Sequence, residues 1–190
     1  MAIFAENPGP AIALTNWCVI TGAPCSGKTS VIDGLARRGH PVAPEVARAY
    51  IDSQLAQGKT LAEIKTDSLA FERLILLEKV RIENNLPKAR MVFLDRAVPD
   101  SIAYFQIEGL DIAEPLQHSR SLRYRKIFLF ERLSFETDPV RSENRVLAAR
   151  IETLLAENYA RLGYGVIRVP VLTVAQRIDF VLAHCLSSNG

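Results

Sequence analysis

The sequence is poor in cysteine, in net charge and in unbroken apolar runs, and each shortage removes a class of protein. Its three cysteines, Cys18, Cys25 and Cys185, are odd in number and widely spaced, with no Cys-x-x-Cys. That spacing speaks against a disulfide framework or a zinc site, and a reducing cytoplasm is the expected compartment. His40, His118 and His184 stand alone without ligand spacing and are assigned no role. The 23 Lys and Arg against 21 Asp and Glu leave a formal net charge of +2, too little to draw nucleic acid or an anionic membrane. No residue from Asn7 to Gly27 is charged, yet Pro8, Gly9, Pro10, Gly22, Pro24 and Gly27 interrupt the stretch and rule out a membrane helix there. The start also lacks the basic residues of a signal peptide. No repeat, low-complexity tract or Pro/Gly/Ser-rich linker divides the chain. One domain over residues 1–190 is expected, with 1–15 as an N-terminal extension.

What is present is globular: 48% of residues are hydrophobic and 23% charged. Apolar runs alternate with helical patterns, which predicts an α/β protein with a parallel sheet. Strands are expected at Trp17–Thr21, Pro41–Ala43, Met91–Leu94, Ile127–Phe130 and Val166–Val169. Helices are expected after Gly27, to about Arg38 with Gly39 closing, and from the capping box Thr60-x-x-Glu63 to Pro87. Ala70, Leu74, Leu77 and Val80 share a face of that long helix. Two short helices fall between Asp100 and Leu122, and a longer one carries Leu147, Ile151, Leu154 and Leu162 up to Gly163. A second box, Thr173-x-x-Gln176, opens the last helix. Right-handed crossovers then give a doubly wound, three-layer sheet with its ligand at the carboxyl ends of the strands.

The strongest motif is Gly22-Ala23-Pro24-Cys25-Ser26-Gly27-Lys28-Thr29, followed by Ser30, between an apolar strand and a helix. This is a phosphate-binding loop: its glycines let the backbone curl, so that N–H groups and the helix N-terminus cradle phosphate oxygens. Lys28 supplies charge to the β- and γ-phosphates and the Thr29 hydroxyl ligates Mg²⁺. The expected ligand is Mg-ATP, with Mg-GTP as the alternative. Cys25 is read as a small filler rather than a reactive thiol.

Met91-Val92-Phe93-Leu94-Asp95 is an apolar strand ending in an acid, the arrangement that gives Mg²⁺ its second protein ligand. The residues after Asp95 separate the classes. Motor-type ATPases place a water-activating Glu next, and regulatory GTPases place Asp-x-x-Gly there with Asn-Lys-x-Asp further on. Here Asp95 is followed by Arg96, and neither GTPase signature occurs. An acid followed by Arg resembles the pair of nucleoside and nucleotide kinases, whose arginine touches the acceptor or the transferring phosphoryl group.

Several stretches together carry a closer likeness: Ile20 to Pro24 with the loop, Pro44-Glu45-Val46-Ala47-Arg48, Phe93 to Ser101, Asp138-Pro139-Val140-Arg141, Leu162-Gly163-Tyr164 and Val169-Pro170. In this order they resemble the NadR-like family of predicted AAA-type ATPases, P-loop proteins related to the ribosylnicotinamide kinase domain. The resemblance implies a kinase-like fold with strand order 2-3-1-4-5. It also implies that the loop after the last strand, Val169-Pro170-Val171, packs against the nucleobase.

In such kinases a glutamate after the second strand takes the proton of the acceptor hydroxyl, and Glu45 stands at that place. It reads equally as a helix-opening residue favoured by the helix dipole. Arg48, three residues on, either meets an acceptor anion or pairs with Glu45. The polar stretch 131–145 lies where these kinases carry a lid. Arg141 and then Arg132 are its candidates for meeting charge on the transferring group. Arg120, Arg123, Arg125 and Lys126 read as a solvated basic helix end. The leading expectation is a small-molecule kinase with a nucleoside- or nucleotide-like acceptor. Its rivals are an NTPase with water as acceptor and a nucleotide sensor with little turnover.

Overall fold

The computed structural model describes residues 12–133 and 142–186. Its main sheet has five parallel strands: β2 (Trp17–Thr21), β3 (Val42–Ala43), β4 (Val92–Asp95), β6 (Lys126–Phe130) and β7 (Val166–Val169). They lie in the order β3-β4-β2-β6-β7. Counted along the main sheet alone this is 2-3-1-4-5, the order that the family resemblance implied. The central strand β2 is buried along its whole length because both faces are covered, which is why it reads as an unbroken apolar run. Cys18 and Ile20 point into one core, with Val31, Ile32 and Leu35 of α1 (Lys28–Arg37) and Ile178, Val181 and Cys185 of α8 (Val174–Leu186). Trp17 and Val19 point into the other, against α4 (Ser68–Asn85) and α7 (Ser142–Arg161). Helix α5 (Asp100–Ile107) is wedged between those two, with α6 (Ala113–His118) following it. The three cysteines are free, and the Cys18 and Cys185 sulfurs lie 3.2 Å apart in the first core.

Three local readings change. The Thr60–Glu63 box forms, with Glu63 N donating to Thr60 Oγ1, but it opens only the one-turn helix α3 (Leu61–Ile64). The long helix starts later, where Asp67 accepts from Ala70 N. On α4 the inward face carries Phe71, Ile75 and Leu76, whereas Leu74 and Leu77 are exposed. They line an open apolar groove of about 830 Å³ against Pro44, Val46, Ala49 and Tyr50. Last, a further helix, α2 (Val46–Ala56), follows Glu45.

A small second sheet pairs β1 (Ala13–Leu14) with β5 (Leu122–Arg123), so residues 13–14 are tied into the fold. Arg123 and Arg125 are half-buried and bonded rather than free in solvent: Arg123 donates to the Leu162 and Gly163 carbonyls, and Arg125 to Asn16 Oδ1 and the Cys185 carbonyl. Among the described residues no helix is long and apolar enough to cross a membrane.

Candidate functional site

The phosphate loop joins the end of β2 to the start of α1 and turns by placing Gly22, Cys25 and Gly27 at φ of 145°, 60° and 80°. At Gly22 the loop passes hard against β6: a Cβ there would lie 2.7 Å from the Phe130 carbonyl oxygen. Gly22→Ala is therefore expected to destabilise the protein by about 1–3 kcal/mol. It is also expected to reduce nucleotide binding measured under folded conditions; an unchanged urea midpoint would contradict the packing. The Lys28 ammonium donates to the Ala23 carbonyl at 2.9 Å and to Ser26 Oγ at 3.1 Å, so it is held over the loop. Burial draws its pKa down to about 8; Arg96 adds to this, while Asp95, Glu45 and Asp100 oppose it.

Strand β4 delivers Asp95 and Arg96 beside the loop. Arg96 adopts φ 67° and its N–H bonds the Ile20 carbonyl at 3.0 Å. Its buried guanidinium donates to Glu45 at 3.0 Å and reaches Asp100 at 3.5 Å, over the Tyr104 ring. Burial works against the charge of Arg96, but Tyr104, Glu45, Asp100 and Asp95 outweigh it and hold its pKa above the usual range. Asp100 ties the floor together: it accepts from Thr21 Oγ1, from Ala97 N at 3.0 Å and from the Tyr159 hydroxyl at 2.6 Å. Asp95 is 4% exposed, and its Oδ1 has no hydrogen-bond partner among the described residues. Burial and then Glu45 push its pKa up to about 6, against Arg96 and Lys28. A buried carboxylate oxygen without a partner, beside a phosphate loop with an exposed Thr29 hydroxyl, fits a hard oxygen-seeking cation such as Mg²⁺.

Loop residues Pro24–Ser30 line a cavity of about 440 Å³ together with Glu45, Arg96, Glu72, Lys79, Phe71 and Tyr104. The wall opposite the loop is part aromatic and part charged. Glu72 on α4 is 7% exposed and makes no hydrogen bond among the described residues; burial raises its pKa, with Lys79 and Lys65 opposing. Lys79 is buried too and donates to Ser101 Oγ at 3.1 Å. Glu45 caps α2, but its partner is Arg96; Arg48 pairs instead with Asp52, one helical turn on. Arg132 follows β6 and meets Glu152 at 3.4 Å and the Arg145 carbonyl at 3.1 Å. Arg141 and residues 134–140 of the expected lid lie outside the described residues.

A family model described as an AAA domain matches residues 17–177, the stretch that holds the main sheet and every residue of this cavity. The chain belongs to that family. The fold of this AAA domain is shared with NadR in complex with NR, at 20% identity and a TM-score of 0.68 over 92% of this chain. It is shared also with thymidylate kinase from Ehrlichia chaffeensis, at 14% identity and a TM-score of 0.63, covering 90% of this chain and 98% of that one. A third likeness is to deoxyadenosine kinase from M. mycoides, at 13% identity and a TM-score of 0.61, over 88% and 97% of the two chains. The AAA domain spans about half the NadR chain, 52% of its length. No curated protein matches the sequence. The family match and the NadR likeness bear out the resemblance read from the motifs.

Three residues of the AAA domain site escape sequence reasoning. Asp100 lies inside a matched stretch, but its role as a hub appears only when Thr21 and Tyr159 fold onto it. Glu72 looks like any helix-surface acid until α4 turns it inward. Arg177 sits beside a capping residue with no motif around it, yet it is 2% exposed and reaches the phosphate loop.

Proposed function

We propose that the protein is a Mg-dependent kinase that transfers the γ-phosphoryl group of ATP to a hydroxyl of a small nucleoside- or nucleotide-like acceptor. The observation that carries this reading is the single cavity in which the Glu45–Arg96 pair faces the phosphate loop. Phe71, Tyr104 and Glu72 line the same cavity as the phosphate loop, a part-apolar, part-polar wall of the kind that receives a ring-bearing acceptor. The kinase-like fold supports the same reading.

In this mechanism Lys28 and the loop N–H groups hold the triphosphate. The Thr29 hydroxyl and Asp95 would hold Mg²⁺, which supplies charge neutralisation at the β- and γ-oxygens. The acceptor oxygen bonds to the γ-phosphorus as the bond to the β–γ bridging oxygen breaks, leaving ADP. The hydroxyl proton passes to the Glu45 carboxylate, whose second oxygen is not engaged by Arg96 in a described hydrogen bond. Arg96, fixed by Glu45 and Asp100, stabilises the charge spread over the equatorial oxygens, with Arg132, and Arg141 outside the described residues, as candidates to add to it.

The test is ADP release by purified protein in Mg-ATP or Mg-GTP, with and without a panel of nucleosides and nucleoside monophosphates. Acceptor-dependent release is the expected outcome. Release that ignores every acceptor points to water as the phosphoryl acceptor, and tight binding without release points to a sensor.

A further inference from the structure

We infer that Arg177 is a positioning residue of the phosphate loop that also sets beside it a positive charge with no ion-pair partner among the described residues, an inference that rests on triphosphate binding at this loop. Arg177 lies in the first turn of α8, which the Thr173–Gln176 box anchors: Gln176 N donates to Thr173 Oγ1 and Arg177 N to the Thr173 carbonyl. From there its side chain runs under the loop. Nη1 donates to the Ser26 carbonyl at 2.6 Å, Nε to Pro170 at 3.0 Å and Nη2 to Glu131 at 3.3 Å, and the guanidinium packs over the Phe130 ring. One group thus joins the phosphate loop to the segments that leave β6 and β7.

The bond to Ser26 has a directional consequence. In a trans peptide the carbonyl and the following N–H point opposite ways. With the Ser26 carbonyl turned to Arg177, the Gly27 N–H is turned away from it, and Gly27 lines the cavity. The fit is close, since a Cβ on Gly27 would sit 3.2 Å from Nη1. Gly27 therefore provides both the positive φ and the space for the guanidinium.

The charge is the second part. A buried arginine is ordinarily matched by a carboxylate. Among the described residues Arg177 forms no ion pair; its described partners are backbone carbonyls, which satisfy its N–H groups without cancelling its charge. Glu131 is the acid whose field reaches it. The remaining positive potential falls on the loop that Lys28 also serves, and the counter-charge that suits both is a polyphosphate.

The test measures Mg-dependent binding of ATP, ADP and AMP by calorimetry, and thermal unfolding, for the wild type, R177Q and R177K. Both variants are expected to unfold at lower temperature, because both lose carbonyl bridges. R177Q is expected to bind ATP about tenfold more weakly, with a smaller loss for ADP and a smaller one again for AMP. R177K is expected to recover most of the ATP affinity, since it keeps the charge. Equal losses in both variants, independent of phosphate number, would overturn the inference and leave Arg177 as a fold brace. If R177Q does not fold, R177K decides: a wild-type ratio of ATP to AMP affinity supports the inference, and a collapsed ratio overturns it. A wild type that binds none of the three overturns the nucleotide reading itself, a result distinct from any difference between variants.

Discussion

In Lys28→Met, Mg-ATP is expected to lose most of its effect on thermal unfolding. For the wild type, nucleotide at a hundredfold excess over Kd adds about 2.7 kcal/mol of stability by mass action. Lys28 holds its ammonium over the loop, and removing one partner of a buried charge pair costs about 2–5 kcal/mol of binding. That weakening, roughly thirtyfold or more, cuts the shift at the same nucleotide concentration to about 0.9 kcal/mol or less. Without nucleotide the two proteins are expected to differ in the opposite sense. Lys28 is 5% exposed and burial depresses its pKa, so the empty fold carries a desolvated charge that methionine does not. The variant is expected to unfold at the same temperature as the empty wild type or higher, despite losing the bonds to Ala23 and Ser26. Scanning calorimetry with and without Mg-ATP reads both effects, and a variant that keeps the wild-type nucleotide shift contradicts the role of Lys28.

The second large effect separates the two carboxylates. The ordinary pKa of the Asp95 carboxyl is 3.8, and in the fold it is raised to about 6. A raised folded pKa means that the native state binds the proton more tightly than the unfolded chain. Stability from Asp95 is thus fully present below the unfolded value, declines as pH rises from about 4 to 6 and is absent above it. Asp95→Asn removes that decline, and is expected to make the empty protein more stable at pH 7 by roughly 2–3 kcal/mol. The same change deletes the carboxylate that suits Mg²⁺, so the Mg²⁺ requirement for nucleotide binding is expected to rise steeply. In the wild type that requirement is expected to rise as pH falls below about 6, where Asp95 takes up its proton.

Glu45→Gln is expected to behave differently. The amide oxygen still accepts from Arg96, so the floor keeps its shape. Loss of the Glu45 charge lets the Asp95 pKa fall, moving the Mg²⁺ dependence to lower pH. Transfer to the acceptor is expected to slow by about a hundredfold to ten-thousandfold, the range for a lost general base. Titrations of Mg²⁺ at several pH values, with transfer rates, distinguish the two variants. If Glu45→Gln leaves transfer unchanged, Glu45 serves only to hold Arg96; if it raises the Mg²⁺ requirement more than Asp95→Asn does, the two roles are exchanged.

The parts of the fold that were legible in the sequence are those written in local pattern. The strands Trp17–Thr21 and Val166–Val169 appear at the predicted residues because apolar runs bounded by turn residues have few other fates. The phosphate loop announces itself because its glycines answer a backbone requirement that spacing alone reveals. Only the opening of helix α2 was legible, as one of two readings of Glu45; none of its residues is buried, so it carries no inward stripe that marks its length. The Thr60 box was overread because a cap records where a helix may begin and nothing of its length; Asp67 starts a second one seven residues later. At the site, Asp95 and Arg96 follow from their place after an apolar strand. Asp100 and Arg177 act through Thr21 and Ser26, 79 and 151 residues away, and Glu72 matters only once α4 turns it into the cavity; folding alone brings these together.

The order of the strands also sets an order of events in time. Strand β2 and the loop after it are made before their partners: Val19 pairs with Leu94 on one side and with Ile127 on the other. Ser26 waits longer still, for a side chain at position 177. Contacts this distant in sequence close late, because the chain between them must first be ordered. The phosphate loop therefore takes its working shape only after the segments that follow it, as far as α8, have folded against it. Nucleotide capture can report only a chain that has been made at least as far as α8, and a fragment stopped before α8 would present the phosphate loop without its brace.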